Sequence, residues 1–179
     1  MNTVRPITEE EFLAAVRGFR SSAFHFEAQA AYALGYEQAD LKRFLAGDPV
    51  LPADSDMWRP WLERVARFRA EGKHIGRIRV LEEPPTDYQR WLLWASPWLE
   101  AAGEDIGYMA RSRALAVGLP LDHDWWLLDR ERVLITWFTP DGEIREKIAT
   151  DEPGDVARHL AWRDLAIAHA NGAEHVTAA

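Results

Sequence analysis

Between His74 and Ala110 the chain changes hydrophobic period twice, and no other feature constrains its fold as strongly. "HIGRIRVLE" (74–82) alternates, placing Ile78 and Val80 on one strand face and Arg77 and Arg79 on the other. "EPP" stops that strand, and Thr86 with Gln89 forms a capping box that opens "DYQRWLLWA" (87–95). "EDIGYMA" (104–110) then returns to a strand pattern. A strand, a helical connection and a second strand in that order imply a right-handed parallel crossover. Proline lacks an N–H and is disfavoured inside a helix, so Ser96 and Pro97 are expected to cap and start a second short helix, closed by Gly103.

The later strands are joined more tightly. "WWLLD" (125–129), "RVLITWF" (132–138) and "IREKIA" (144–149) read as antiparallel neighbours, the last two linked by the turn "TPDGE" (139–143). "AFHFEA" (23–28) is a short strand in which Phe24 and Phe26 alternate with His25 and Glu27. Helical spacing marks 8–19, with a Thr8–Glu11 capping box, then 36–47, the segment from Trp58 to near Gly72, the connection 112–118, and Pro153 to Ala170. "DPVLPADSD" (48–56) is the best linker candidate. With 179 residues there is room for one substantial core and little for two domains. The expected fold is α/β in the α+β sense, a single domain over 1–179. It would comprise N-terminal helices with a short strand (1–56), an α/β core (57–150), and a C-terminal helix and tail (151–179). Its sheet should be mixed and mostly antiparallel, with one βαβ crossover and flanking helices.

Composition removes several function classes. Cysteine is absent, which excludes disulfides, thiolate catalysis and thiolate metal sites. With 21 basic and 29 acidic residues the formal charge is −8, which opposes indiscriminate binding to phosphate backbones, so nucleic acid is not an expected partner. The longest greasy run, "WLLWA" (91–95), is far short of the roughly 20 residues that span a bilayer. The N-terminus has no apolar leader, so a soluble, cytoplasmic protein without membrane contact is expected. Trp91 to Trp94 make that helix apolar on more than one face, so it needs cover on two sides, either within the fold or at a homodimer seam.

Two constellations are candidates for chemistry. In "DHDWW" (122–126), Asp122, His123 and Asp124 are too few for a metal, which takes three or four ligands, and no second cluster accompanies them; no metal or cofactor is expected. Asp124 is expected to hold backbone or arginine groups where a central strand begins, so that Asp124→Asn should lower stability by roughly 1–3 kcal/mol. Trp126 should line whatever cavity lies between sheet and helices. As an alternative, His123, Asp124, Glu104 or Glu27 could supply the acid-base pair of a small specialised-pathway enzyme, although no serine or lysine nucleophile sits in a recognisable motif. The second constellation, "TDYQRW" (86–91), opens a helix at the carboxyl end of the arginine-bearing strand, where ligands commonly sit. Arg77, Arg79, Tyr88 and Arg90, with Asp105, are the ligand-binding candidates there. The competing reading makes the arginines an ion-pair cluster with Glu104, Asp105 or Asp129. Nine tryptophans also admit an aromatic cage, with Trp98, Trp126 and Trp162 its best members.

The blocks "FRSSAFHFEAQAAY", "RPWL", "RIRVLEEPPTDYQRWLL", "AAGEDIGYM", "HDWWLLDRERV" and "HLAWRD" resemble an actinobacterial family, domain of unknown function 6879, over most of the chain. Members of that family often stand beside helix-turn-helix regulators, and their βαβ core looks like a degenerate phospholipase-D-like domain. The resemblance implies a non-catalytic regulatory protein, partner to a helix-turn-helix regulator and sensor of a small anionic or aromatic ligand. Gly107 stands where the family usually has arginine, and Ala28 to Ala31 replace a more charged stretch, so the resemblance does not carry over an anion site built on that arginine.

Overall fold

The computed structural model describes residues 4–172; the expected C-terminal tail, 173–179, lies outside the described residues. The strands are β1 (Val4–Pro6), β2 (Ser22–Glu27), β3 (His74–Leu81), β4 (Asp105–Ala110), β5 (His123–Leu128), β6 (Arg132–Phe138) and β7 (Ile144–Thr150). The helices are α1 (Glu9–Gly18), α2 (Gln38–Leu45), α3 (Arg59–Ala70), α4 (Asp87–Ala102), α5 (Arg111–Ala116) and α6 (Pro153–His169), with a 3-10 turn at Gly35–Glu37. All seven strands join one mixed sheet in the order β1-β7-β6-β5-β2-β3-β4. β2, β3 and β4 run parallel, and every other pair is antiparallel. The chain is thus a single-domain α+β protein of the expected class.

Three features differ from the sequence expectation. First, β2 also runs parallel to β3, with His25 opposite Arg77 and Glu27 opposite Arg79, so there are two crossovers instead of one. Second, α4 passes through Pro97 unbroken. Proline inside a helix costs on the order of 3 kcal/mol, yet the buried stripe Tyr88, Trp91, Leu92, Ala95 and Leu99 continues across it. Ending the helix at Ser96 would expose Leu99. The Thr86–Gln89 box holds one end, Gly103 with φ 114° closes the other, and Ser96 Oγ donates to the Leu92 carbonyl at 2.8 Å. Third, β1 is an additional edge strand on β7, a position where Pro6 is tolerated because an edge does not need every N–H.

The two faces of the sheet differ sharply. On one, Phe24, Phe26, Ile78, Val80, Trp125, Leu127, Val133 and Ile135 form an apolar core covered by Val156 and Ala166 of α6 and Ala114 of α5. On the other, Ala23, Ile75, Leu128 and Leu134 pack under Val16 and Phe19 at one end, with Val65 and Phe68 of α3. Further along the same strands this second face turns charged. Position 107 pairs with Ile78 and shares a face with Met109 of the apolar core, so an arginine there would not reach the charged side. Trp94 and Trp98 of α4 are half-buried, with Trp94 5.6 Å from Phe44 of α2, which supplies part of the cover that helix needs. Among the described residues no helix is long and apolar enough to cross a membrane.

Candidate functional site

Strand alternation gathers the polar side chains of five strands onto one patch. His25 and Glu27 of β2 lie beside Arg77 and Arg79 of β3. On the other side, Trp126 pairs with His25, Asp124 with Thr136, and Thr136 with Lys147. Helices α1, α3 and α4 and the segment around Tyr32 to Glu37 stand over this patch without filling it. They leave a cavity of about 670 Å³, within the range of small-molecule sites. Glu27, Arg77, Arg79, Tyr88, Asp124 and Trp126 all line it.

The arginines are paired and face the cavity at once. Glu27 accepts from Arg77 Nη1 and, at 2.6 Å, from Arg79 Nε. Arg77 Nε donates to Glu104 at 2.6 Å, and Glu104 also accepts from Trp61 Nε1 at 3.0 Å. Arg79 Nη1 reaches Ser96 Oγ at 2.9 Å and the Leu92 carbonyl at 3.3 Å. Burial alone would raise the Glu27 carboxyl, but the Arg77 and Arg79 guanidiniums together outweigh it and hold its pKa well below the carboxylate range. Burial likewise works against the Arg77 cation, and Glu104 and Glu27 reverse the balance and strengthen it. Of the predicted ion partners, Glu104 meets Arg77; Asp129 instead accepts the backbone N–H groups of Arg20, Ser21 and Ser22.

Two other acids in the cavity wall behave in the opposite way. Asp124 accepts from the Ala28 N–H at 2.8 Å, from Tyr32 OH at 2.5 Å and from Gln29 at 3.4 Å. Burial nevertheless pushes it up to about 7, and Asp124 makes no salt bridge to a described residue. Glu37, which accepts from Tyr88 OH at 2.6 Å, is also pushed up by burial to about 7. His25 stacks on Trp126 with ring centroids 4.1 Å apart, and burial holds its pKa down at about 3, so the imidazole is neutral. Its Nδ1 and the Nε1 of Trp58, another lining residue, are buried without a hydrogen-bond partner. Lys147 is held by Glu9 and sits over the Phe12 ring, 4.0 Å from its centroid.

The remaining candidates lie elsewhere. His123 and Asp124 are consecutive on β5 and therefore point to opposite faces. The His123 ring is 4.5 Å from Trp137 and its Nδ1 is 2.7 Å from Asp122, on the α6 side of the sheet. It cannot act with Asp124. Glu104 is behind the cavity wall, 1% exposed. Arg90 is exposed and paired with Asp87, and neither it nor Asp105 lines the cavity. Trp162, one of the cage candidates, is half-buried against the apolar core. No serine or cysteine lines the cavity, and among the described residues no three His, Cys, Asp or Glu side chains are grouped to hold a metal.

A family model described as Domain of unknown function (DUF6879) matches residues 10–176. The chain belongs to this family. No curated protein matches it. The DUF6879 span includes every lining residue of the cavity except Glu9. Sequence reasoning overlooked His25, Tyr32, Glu37, Thr136 and Lys147 as members of that wall. Of these only His25 had a signal in the sequence, the polar alternation of β2; Tyr32, Glu37, Thr136 and Lys147 reach the wall from other elements.

Proposed function

We propose that this DUF6879 protein is a non-catalytic regulatory module that binds a small molecule in the cavity and acts through a protein partner. The observation that carries the reading is the cavity itself: about 670 Å³ over a sheet face that presents aromatic rings beside fully hydrogen-bonded charges. Such a floor is pre-organised, so a ligand need not order it. The separation of His123 from Asp124 and the locking of Glu104 by Arg77 and Trp61 favour binding over turnover. A helix-turn-helix regulator as partner, an actinobacterial source and a phospholipase-D-like ancestry of the crossover rest on the resemblance carried by the sequence blocks quoted above, and a cytoplasmic location is the one in which such a regulator would act. Self-association through α4 rests on the half-buried Trp94 and Trp98.

A thermal-shift screen against a chemically diverse metabolite set, followed by hydrogen-exchange mapping of each hit, tests the binding reading. Protection is expected in residues 9–17, 57–64 and 123–128. A screen with no stabilising compound, or protection confined to α6, would refute it. Co-purification with a helix-turn-helix protein encoded next door tests the partner. One observation favours an enzyme instead: Asp124 and Glu37, both raised to about 7, could exchange protons at neutral pH. Metabolite turnover abolished by Asp124→Asn in a folded protein would establish that second reading.

A further inference from the structure

Most charges of the cavity have partners. Glu27 is held by two arginines and Lys147 by Glu9. Asp124 and Glu37 are bonded to tyrosines and resist ionisation because they are buried. Arg17 and Arg64 differ. Both line the cavity, Arg17 from the last turn of α1 and Arg64 from the middle of α3, and neither makes a salt bridge to a described residue. They line the same cavity, and burial first, then the charges of Arg17 and Arg67, work against the Arg64 cation. Two like charges held near one opening are unfavourable until an anion joins them, and guanidiniums bind carboxylates through strong charge-assisted hydrogen bonds.

The helices that carry these arginines also place rings beside them. Trp61 lies three residues before Arg64, on the same side of α3, and meets Trp126 edge to face at 6.2 Å. Trp126 in turn is stacked on the neutral ring of His25. The interior therefore offers flat apolar surface, while the surplus positive charge sits with Arg17 and Arg64. In a chain of formal charge −8, long-range attraction does not favour an anion, so recognition must come from these local groups.

We infer that the cavity takes a flat aromatic carboxylate, its ring against Trp61 and Trp126 and its carboxylate between Arg17 and Arg64. The inference rests on the binding reading above and adds the ligand class. Isothermal titration with 2-naphthoate, its uncharged amide and cyclohexanecarboxylate tests it. The acid should bind at least tenfold more tightly than the amide and than the non-aromatic acid. In the double variant Arg17→Gln/Arg64→Gln, which removes two unpaired surface-side cations and should melt as the parent does, acid and amide should become equal while amide binding persists. Equal binding of acid and amide to the parent would sink the anionic half and leave the cavity reading standing. Equal binding of the two acids would sink the aromatic half. A tenfold preference that survives in the double variant would remove Arg17 and Arg64 from the site, and no binding by either naphthyl compound would overturn the ligand class. The cavity reading fails separately, through the metabolite screen and its protection map.

Discussion

Replacing Asp124 by asparagine should stabilise the protein at neutral and alkaline pH. Asp124 is 4% exposed and makes no salt bridge to a described residue, and burial, only partly offset by the Tyr32 and Ala28 hydrogen bonds, lifts it from 3.8 to about 7. At about 1.4 kcal/mol per tenfold change, that difference penalises the ionised form in the folded state by roughly 4 kcal/mol. The folded state thus holds the proton more tightly than the unfolded chain. Its stability is fully present below pH 4, falls as pH rises towards 7, and is level above that. Asparagine keeps the shape. Its Oδ1 can accept from the Ala28 N–H and its Nδ2 can donate to the Tyr32 oxygen, so neither buried group is abandoned. The gain should be roughly 1–3 kcal/mol at pH 8, after allowing for the weaker neutral hydrogen bonds. Glu37 titrates over a similar range in parent and variant and cancels in the difference. Urea unfolding of both proteins from pH 4 to pH 9 measures it directly. A variant less stable at pH 8, the outcome the sequence alone suggests, or a stability difference that does not grow between pH 4 and pH 7, would refute the argument.

Three further outcomes follow from the same geometry. Glu104→Gln removes one of the two carboxylates bonded to the buried Arg77 and leaves Glu27 shared between Arg77 and Arg79, which should cost roughly 3–5 kcal/mol in urea unfolding; parent-like stability would show that Glu104 does not compensate that charge. Gly142→Ala should destabilise by roughly 1–3 kcal/mol, because Gly142 has φ +83° and a Cβ there would stand 2.9 Å from the Ala31 carbonyl oxygen, beside the Tyr32 wall of the cavity; an unchanged melting temperature would contradict it. His25 should remain neutral down to about pH 4, so its ring NMR shifts should be flat between pH 5 and pH 8, and an inflection near 6.5 would mean that water reaches the stacked ring.

What could be read from the chain, and what could not, divides along sequence separation. The alternation of Arg77 and Arg79 against Ile78 and Val80 is local, and it correctly announced a strand with one charged face. Whether that face met a cavity or carboxylates depended on which strand lay beside it, and the answer came from β2, a distant segment joined by a crossover without a continuous period. Glu27 was visible as a strand residue but not as the acid between two arginines. The opposite orientations of His123 and Asp124 were implied by alternation as soon as β5 was recognised. The continuity of α4 was not, because the local cost of Pro97 is offset by burial of Leu99 against elements elsewhere in the chain. The same reasoning explains why the cavity exists. Apolar positions on the second face are covered by α1 and α3, whereas beyond them the strands carry His25, Glu27, Arg77, Arg79 and Asp124, whose hydrogen bonds are satisfied within the sheet and its immediate neighbours. His25 Nδ1 is the exception, and apart from Trp126 the patch gives a helix laid directly on it little apolar area to bury. The helices therefore stand off, and the space they leave is bounded below by charge and the Trp126 ring and at the sides by further aromatic rings.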